Sequence, residues 1–442
     1  MTDALVIGAP RRGEIAPLYG RLAGGRRSAH GLSKDEVAAD QRRRLNGAMI
    51  EAVDRHGYQR TTAREVCRLA AVSERTFYAL FLNREACFLA TYDTIVQRVL
   101  ERVCGAYRSG GTSQTKLRAA FDAYATALVS EPEAGRLALT GALGAGPRAL
   151  ARMRSTRRVF EELIVAGFAR APDGKAPSSI VVKGIVYGIE RIARQRLAGD
   201  LAGLPALTEE LSAWALSYRF AVIDRLGDPS LAWREPPASR GAPAESRDER
   251  VRILRATAQL TACGGYAQLT SGQIIDAAGV SEEIFNARYQ NVEECFLAAL
   301  GLLAVEALRC AETASQGGGD PLAGVHRGIV ALMRHVASDP VLMRVAFGEV
   351  CTVGPAAVAY REELLCRFTD LLTRSLPKSS RPPSATVEGI VGGIWGIIQH
   401  HVTSGSAQLL PALAGHVSYL ALAPAVGGEV AVDAILAADQ AV

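Results

Sequence analysis

The sequence predicts an all-α protein assembled from two copies of one unit, and three observations carry that prediction. A shift of 208 positions brings Gly57-Tyr58 onto Gly265-Tyr266, Val72-Ser73 onto Val280-Ser281, and Cys87-Phe88-Leu89 onto Cys295-Phe296-Leu297. Apolar residues recur at intervals of three and four through both copies, the period of a helix with one buried face. No run alternates apolar and polar residues over the length of a strand. The same shift, without a gap, sets Glu131-Pro132 on Asp339-Pro340, Gly146-Pro147 on Gly354-Pro355 and Phe160 on Phe368. After a small deletion Gly184-Ile185-Val186 falls on Gly389-Ile390-Val391, and Pro205-Ala206-Leu207 falls on Pro411-Ala412-Leu413. Each copy is therefore a domain's worth of chain.

In chain order, residues 1–32 carry Arg11, Arg12, Arg21, Arg26 and Arg27 among glycines and prolines, without the continuous apolar core of a signal peptide. They read as a flexible basic arm on a cytoplasmic protein. Ser33 followed by Glu36 is a capping box, opening a helix whose Leu45, Ala48, Met49, Ala52 and Val53 share a face until Gly57 stops it. A second helix begins at Thr62 with Val66 and Leu69 inward, and Ala70-Ala71-Val72 forms a turn. Ser73 then caps a third helix bearing Phe77 and Phe81 one turn apart. Asn83 ends it, and a fourth helix starts near Glu85 and continues through Phe88, Tyr92, Ile95 and Val99. Short helix, tight turn and capped short helix make a helix-turn-helix.

From Thr115 to about Gly227 the text stays helical, with breaks at Gly110-Gly111, Glu131-Pro132, Gly146-Pro147, Pro172 to Pro177, and Gly203 to Pro205. Asp228 to Glu245 holds four prolines and loses periodicity, as a linker does. The second copy repeats the order from near Ser246, with a loop at Gln316 to Pro321 and a turn at Pro377 to Pro383. The expected divisions are an arm at 1–32, a first helix-turn-helix domain at 33–93, its helical companion at 94–227 and a linker at 228–245. A second helix-turn-helix domain at 246–300 and a second helical domain at 301–442 complete the chain.

Composition narrows the function. With 49% hydrophobic and 21% charged residues the chain can bury a substantial core. The longest strongly apolar stretch near the second copy's end, Gly389 to Ile398, is too short to span a bilayer, so no membrane partner is expected. The eight cysteines, at 67, 87, 104, 263, 295, 310, 351 and 366, form no Cys-x-x-Cys pair and read as small core residues. His400 and His401 are adjacent and diverge on a helix, while His326, His335 and His416 are scattered, so no metal site is expected. Without a nucleophile beside a base, a phosphate loop or a metal spacing, neither an enzyme nor a cofactor is expected.

A third helix lying in the major groove needs one packed face and one polar face. Phe77 and Phe81 supply the packed face, leaving Arg75, Thr76, Tyr78 and Ala79 outward. Arginine can bond guanine edges bidentately, and threonine can touch a thymine methyl. Thr62, Tyr78 and Arg84 stand where hydroxyl and guanidinium donors can hold phosphates beside the groove.

The run from Thr61 to Phe88, with Val72-Ser73-Glu74-Arg75-Thr76-Phe77-Tyr78 and Asn83-Arg84-Glu85-Ala86-Cys87-Phe88, resembles the DNA-binding domain of TetR-family transcriptional regulators. The resemblance covers about fifty residues per copy. It implies two TetR-like units, each a three-helix reading head on a larger domain that encloses a small-molecule pocket and ends in two dimer-forming helices. It also implies that Thr62, Arg75, Thr76, Tyr78 and Arg84 match the family's DNA contacts. Ala71 occupies the usual turn glycine, and Ala79 replaces a common polar residue.

The second copy keeps the scaffold and changes the contacts. Gly279, Phe285 and Tyr289 hold the turn and packing, yet Arg75 becomes Glu283, Thr76 becomes Ile284, Tyr78 becomes Asn286 and Arg84 becomes Val292. Residues 36–92 hold nine arginines against seven acids, a net of +2, while residues 244–300 hold five against eight, a net of −3. Phosphate repels such a surface, so the second head is expected to be weakened or structural, with Asn286 and Arg288 as its remaining polar reach. The pair Ile180 to Leu197 and Leu207 to Leu226 corresponds to Val387 to Val402 and Leu409 to Leu422, and Gly389, Gly392, Gly393 and Gly396 suit close helix approach. If these four helices pack as the family's dimer helices do, one chain is its own pseudo-dimer, with room for a further homodimer of two chains. Phe121, Tyr124, Met153, Phe160, Phe168 and Tyr187 are candidates for a pocket or plain core, and Arg191, Arg194 and Arg196 read as a solvated face. The function expected is a repressor that binds double-stranded operator DNA and is released by a small hydrophobic or amphipathic effector. The alternative is a ligand-sensing or protein-interaction scaffold without DNA binding.

Overall fold

A computed structural model describes residues 33–109, 111–168, 178–218, 220–227 and 248–440. The expected basic arm, the linker and the break at Pro172 to Pro177 lie outside the described residues. Every regular element among them is helical. The first copy contains α1 (Lys34–Arg60), α2 (Ala63–Ala70), α3 (Glu74–Leu80), α4 (Arg84–Arg108), α5 (Ser113–Ser130), α6 (Pro132–Leu139), α7 (Pro147–Phe168), α8 (Ser179–Ala198), α9 (Thr208–Ala215) and α10 (Phe220–Ile223). The second contains α11 (Glu249–Gly264), α12 (Ser271–Ala278), α13 (Glu282–Asn286), α14 (Val292–Ser315), α15 (Pro321–Ser338), α16 (Pro340–Arg344), α17 (Val350–Val353), α18 (Pro355–Ser375), α19 (Ser384–Thr403), α20 (Leu410–Val426) and α21 (Gly428–Gln440). The duplication shows in the boundaries, since α12, α13, α14, α15, α16 and α18 start 208 positions after α2, α3, α4, α5, α6 and α7.

Local chemistry sets these starts. Ser33 Oγ accepts the Glu36 N–H while Glu36 Oε2 accepts the Ser33 N–H, closing the capping box. Thr62, Ser73 and Asn83 each accept an N–H three residues on, satisfying donors that a helix leaves open. Gly57 kinks α1 at φ 73° rather than ending it, and a further turn reaches Arg60. Its counterpart Gly265, at φ 78°, does end α11. The turns after α2 and α12 both need a left-handed residue; Gly279 fills one at φ 60°, whereas Ala71 fills the other at φ 51°.

The apolar interior divides unequally. One core gathers Leu45, Met49, Val66, Phe77 and Phe88 of the first head with Leu137 and Met153. The other runs from Ile164, Val181 and Trp214 of the first copy through the whole second copy, including Ile253, Ile274, Phe285 and Phe296 of the second head. The first head thus shares a separate core with α6, α7 and the turn between them, while the second head's core is continuous with the rest of the body.

The copies meet where α8 packs along α19. A Cβ on Gly188 would lie 2.3 Å from the Gly389 carbonyl oxygen, and one on Gly393 would lie 2.4 Å from that of Gly184, so the backbones touch. Around this contact Tyr218 donates to the Leu420 carbonyl at 3.0 Å, and Glu210 accepts from the N–H and hydroxyl of Thr386 at 2.8 and 3.0 Å. The last helices depart from expectation. Leu207 to Leu226 is a broken set of short turns, α9 ending at Ala215, whereas α20 extends to Val426 and α21 follows it. Residues Ala407–Val426 are also long and apolar enough to cross a membrane, a segment the ten-residue stretch at Gly389 passed over. Here Leu413, Val417, Tyr419 and Leu420 are buried against α15, α8 and α21, as in a core helix.

Candidate nucleic-acid interface and interior cavities

The first head presents α3 as its sequence requires. Phe77 is fully buried and stacks at 5.8 Å on Phe81, while Arg75 is exposed and Tyr78 is 56% exposed. Thr76 is half-buried, with its hydroxyl 2.8 Å from that of Ser73. Thr62 is exposed at the start of α2, its oxygen occupied by the Glu65 N–H and its hydroxyl proton free to donate outward. Arg84 behaves differently. Its Nη1 donates to the carbonyls of Thr61, Gln59 and Tyr58 at 2.5, 3.3 and 3.4 Å, and its guanidinium lies 4.3 Å from the Tyr58 ring centroid. It therefore clamps the end of α1 to the start of α4, next to Thr62.

The second head repeats the packing closely. Phe285 and Tyr289 stand 5.7 Å apart at 51°, against 5.8 Å and 52° for Phe77 and Phe81. Tyr266 meets Phe296 edge-on at 5.0 Å, as Tyr58 meets Phe88 at 4.8 Å. The outward chemistry is different. Helix α13 stops at Asn286, Glu283 is exposed, and Val292 packs against the core in place of the Arg84 clamp. A hydrogen bond from the Ser281 hydroxyl holds the Glu283 carboxyl below its ordinary range, keeping it charged. Arg288 is engaged within the head, donating to Glu249 at 3.0 Å and to the Ile284 carbonyl at 3.3 Å.

Two interior cavities occupy equivalent places. One of about 120 Å³ in the first copy is lined by Ile95, Val99, Phe121, Tyr124, Phe160 and Val186 among others. The other, of about 110 Å³, is lined by the residues that the repeat sets opposite them, Leu303, Ala307, Ile329, Leu332, Phe368 and Val391. Of the pocket candidates, Phe121, Tyr124, Met153 and Phe160 line the first cavity, while Phe168 and Tyr187 do not. Tyr92, Ile95, Ala134 and Met153 belong to the first head's core, and Leu128, Ile164 and Val186 to the body's. The first cavity therefore lies at the seam between them.

Beneath it runs an ionic network that sequence reading missed. Glu190, expected nowhere, takes both Arg157 nitrogens at 2.6 and 2.7 Å and Arg194 Nη1 at 2.6 Å. Arg191 is 1% exposed; its Nη1 reaches the Glu388 carbonyl at 2.7 Å and its Nε lies 3.8 Å from Glu362, which also accepts from Arg361 at 2.7 Å. The expected solvated face of Arg191, Arg194 and Arg196 is thus an inter-copy seam, because the second copy covers the side of α8 that a lone helix would leave wet. Burial alone would raise the Glu190 carboxyl, but Arg157 and Arg194 outweigh it and hold it at about 2. Aligning Arg157 with Leu365 and Glu190 with Trp395 was the available signal, since paired charges vanish together in the second copy.

Two other expectations change. Cys87 and Cys295 are fully buried, with burial pushing their thiols up to about 12 and 11, but Cys263 and Cys366 are exposed. His326 joins Ser418, 2.8 Å from Nδ1, and Asp439, 3.0 Å from Nε2. This order resembles a hydrolytic triad, yet Ser418 is fully buried and lines neither cavity described here. It ties α15, α20 and α21 together.

The family profile for bacterial regulatory proteins of the tetR family matches residues 48–91 and again residues 253–299. The chain carries the TetR-family DNA-binding domain twice. Solved structures similar to parts of this chain include the fatty acid degradation regulator FadR of Bacillus halodurans, at 13% identity and a TM-score of 0.37, covering 40% of this chain and 97% of that one. FadR of Bacillus subtilis, solved with stearoyl-CoA, gives 13% identity and 0.36 over 39% and 97%. A TetR-like regulator from Rhodococcus sp. RHA1 gives 16% and 0.36 over 42% and 100%. No curated protein matches the chain.

Proposed function

We propose that this TetR-family chain is a cytoplasmic repressor whose first head reads operator DNA, whose second head is structural, and whose grip is released by a small-molecule effector. The observation that carries this reading is the contrast at α3 and α13: the same packed aromatics underlie Arg75, Thr76 and Tyr78 in one head and Glu283, Ile284 and Asn286 in the other. Arg75 and Thr76 would read base edges, and Thr62 and Tyr78 would hold phosphates. Arg84 would act by holding the α1 to α2 corner that carries Thr62. An effector in the first cavity would wedge the head's core from the body's, changing the angle at which α3 is offered. The α8 to α19 contact supports reading one chain as a pseudo-dimer, and pairing of two chains would supply two competent heads.

Genomic footprinting, followed by salt-dependent binding to the recovered site, tests the reading. A palindromic site, lost with Arg75→Glu and retained with Asn286→Ala plus Arg288→Ala, is the expected result. Loss of binding from the second-head substitutions alone overturns the assignment of heads, and the absence of any bound site favours the scaffold alternative.

A further inference from the structure

The two cavities share their positions but not their chemistry. In the lining of the first, Arg98 has a buried Nη1 with no hydrogen-bond partner, one helical turn from Arg102, which pairs at 3.6 Å with Glu131. Arg157 and Glu190, also in the lining, neutralise each other. Three guanidiniums therefore face two carboxylates, and the surplus charge sits on the one that lacks a partner. An unmade hydrogen bond on a buried cation is costly, and a ligand carboxylate is the group that satisfies it. Most of the remaining wall is apolar, with Phe121, Phe160 and Val99.

The repeat removes each of these groups from the second cavity. Arg98 becomes Glu306, which pairs outside the cavity with Arg255 at 3.5 Å; Arg102 becomes Cys310, Arg157 becomes Leu365 and Glu190 becomes Trp395. Tyr92 and Tyr124 become Leu300 and Leu332. The charged side chain left in the lining, Arg361, is bound to Glu362. An anion entering here would lose its water and meet a guanidinium whose charge Glu362 already matches. The wall also carries a π-helical turn, Val345–Glu349, which sets Phe347 4.2 Å from Trp395. Both volumes approach that of dry cavities able to hold a single benzene ring.

We infer that duplication has split the ligand: the first cavity takes a compact amphipathic carboxylate anchored on Arg98, and the second takes a neutral, wholly apolar molecule of similar size. The inference rests on the reading of these cavities as effector sites. Benzoate and toluene, which share a ring and differ in the carboxylate, are suitable probes for the full chain. Calorimetry of benzoate should show one site, weakened about tenfold or more by Arg98→Met and indifferent to Ala307→Phe, which fills the second cavity. Toluene should perturb Trp395 fluorescence, with Ala307→Phe abolishing and Arg98→Met preserving its binding, circular dichroism confirming that each variant is folded. Benzoate affinity unchanged by Arg98→Met, or lost with Ala307→Phe, overturns the split, as does failure of both probes to bind. Binding as described without any change in operator affinity leaves the split standing and overturns only the effector reading.

Discussion

Replacing Glu190 with glutamine removes one charge and leaves shape almost unchanged, so it isolates the electrostatics of the buried ion network that joins α7 to α8. Glu190 is 7% exposed, and its carboxylate receives three hydrogen bonds between 2.6 and 2.7 Å from Arg157 and Arg194. Its carboxyl falls on folding from 4.5 to about 2, which corresponds to about 3 kcal/mol of stability at neutral pH. Burial makes solvent screening slight here, and breaking a buried pair typically costs about 3–5 kcal/mol because the remaining charges are stranded. A carboxyl depressed by folding stabilises above its unfolded value and loses that contribution as pH falls toward its folded one. The wild-type advantage over Glu190→Gln is therefore expected to be full at pH 7 and smaller by about 2 kcal/mol at pH 3. Urea denaturation followed by far-ultraviolet circular dichroism at the two pH values measures both numbers. A variant as stable as the parent at pH 7, or a penalty independent of pH, would refute the argument.

Three further outcomes follow from the fold. Ala71→Gly relieves a left-handed alanine at φ 51° and, after the entropy glycine gains when unfolded, should stabilise by about 0.5 kcal/mol; a lower melting temperature contradicts this. Gly393→Val places carbon 2.4 Å from the Gly184 carbonyl and should cost about 3 kcal/mol by prising α8 from α19, whereas Gly105→Ala, with nothing within 4 Å, should be neutral or stabilising in the same thermal assay. His326→Ala removes the link among Ser418, Asp439 and α15, so hydrogen exchange should rise in Gly428–Gln440 more than in α8, and uniform protection would rule the link out.

What the sequence made legible follows the range of the forces involved. Caps at Ser33, Thr62, Ser73 and Asn83 act within four residues, so both heads and the boundaries of their helices could be read locally. The glycines at 389, 392, 393 and 396 signalled close approach because only a neighbouring backbone explains so many on one helix. Arg191 and Arg194 were misread because helical periodicity records where charge lies on a helix and not which chain segment later covers it. The extra helix α21 likewise depends on tertiary contacts, with α10, α15 and α20.

Duplication removes selection for identity while keeping the requirement to pack, and the two kinds of residue have separated accordingly. Ring geometry in the heads is preserved within 0.2 Å, since Phe77, Phe81, Phe285 and Tyr289 each fill space that nothing else would fill. Charges were freer to leave, but only as sets: an Arg157 without Glu190 would be an uncompensated buried cation, and so Leu365 and Trp395 replace both. The same logic reaches the second head. With Val292 in place of Arg84, its corner packs against the body's continuous core. On the proposed reading, restoring Arg at position 283 alone should add charge to the second head without restoring operator binding, because Ile284, Asn286 and Val292 still stand where the first head has Thr76, Tyr78 and Arg84.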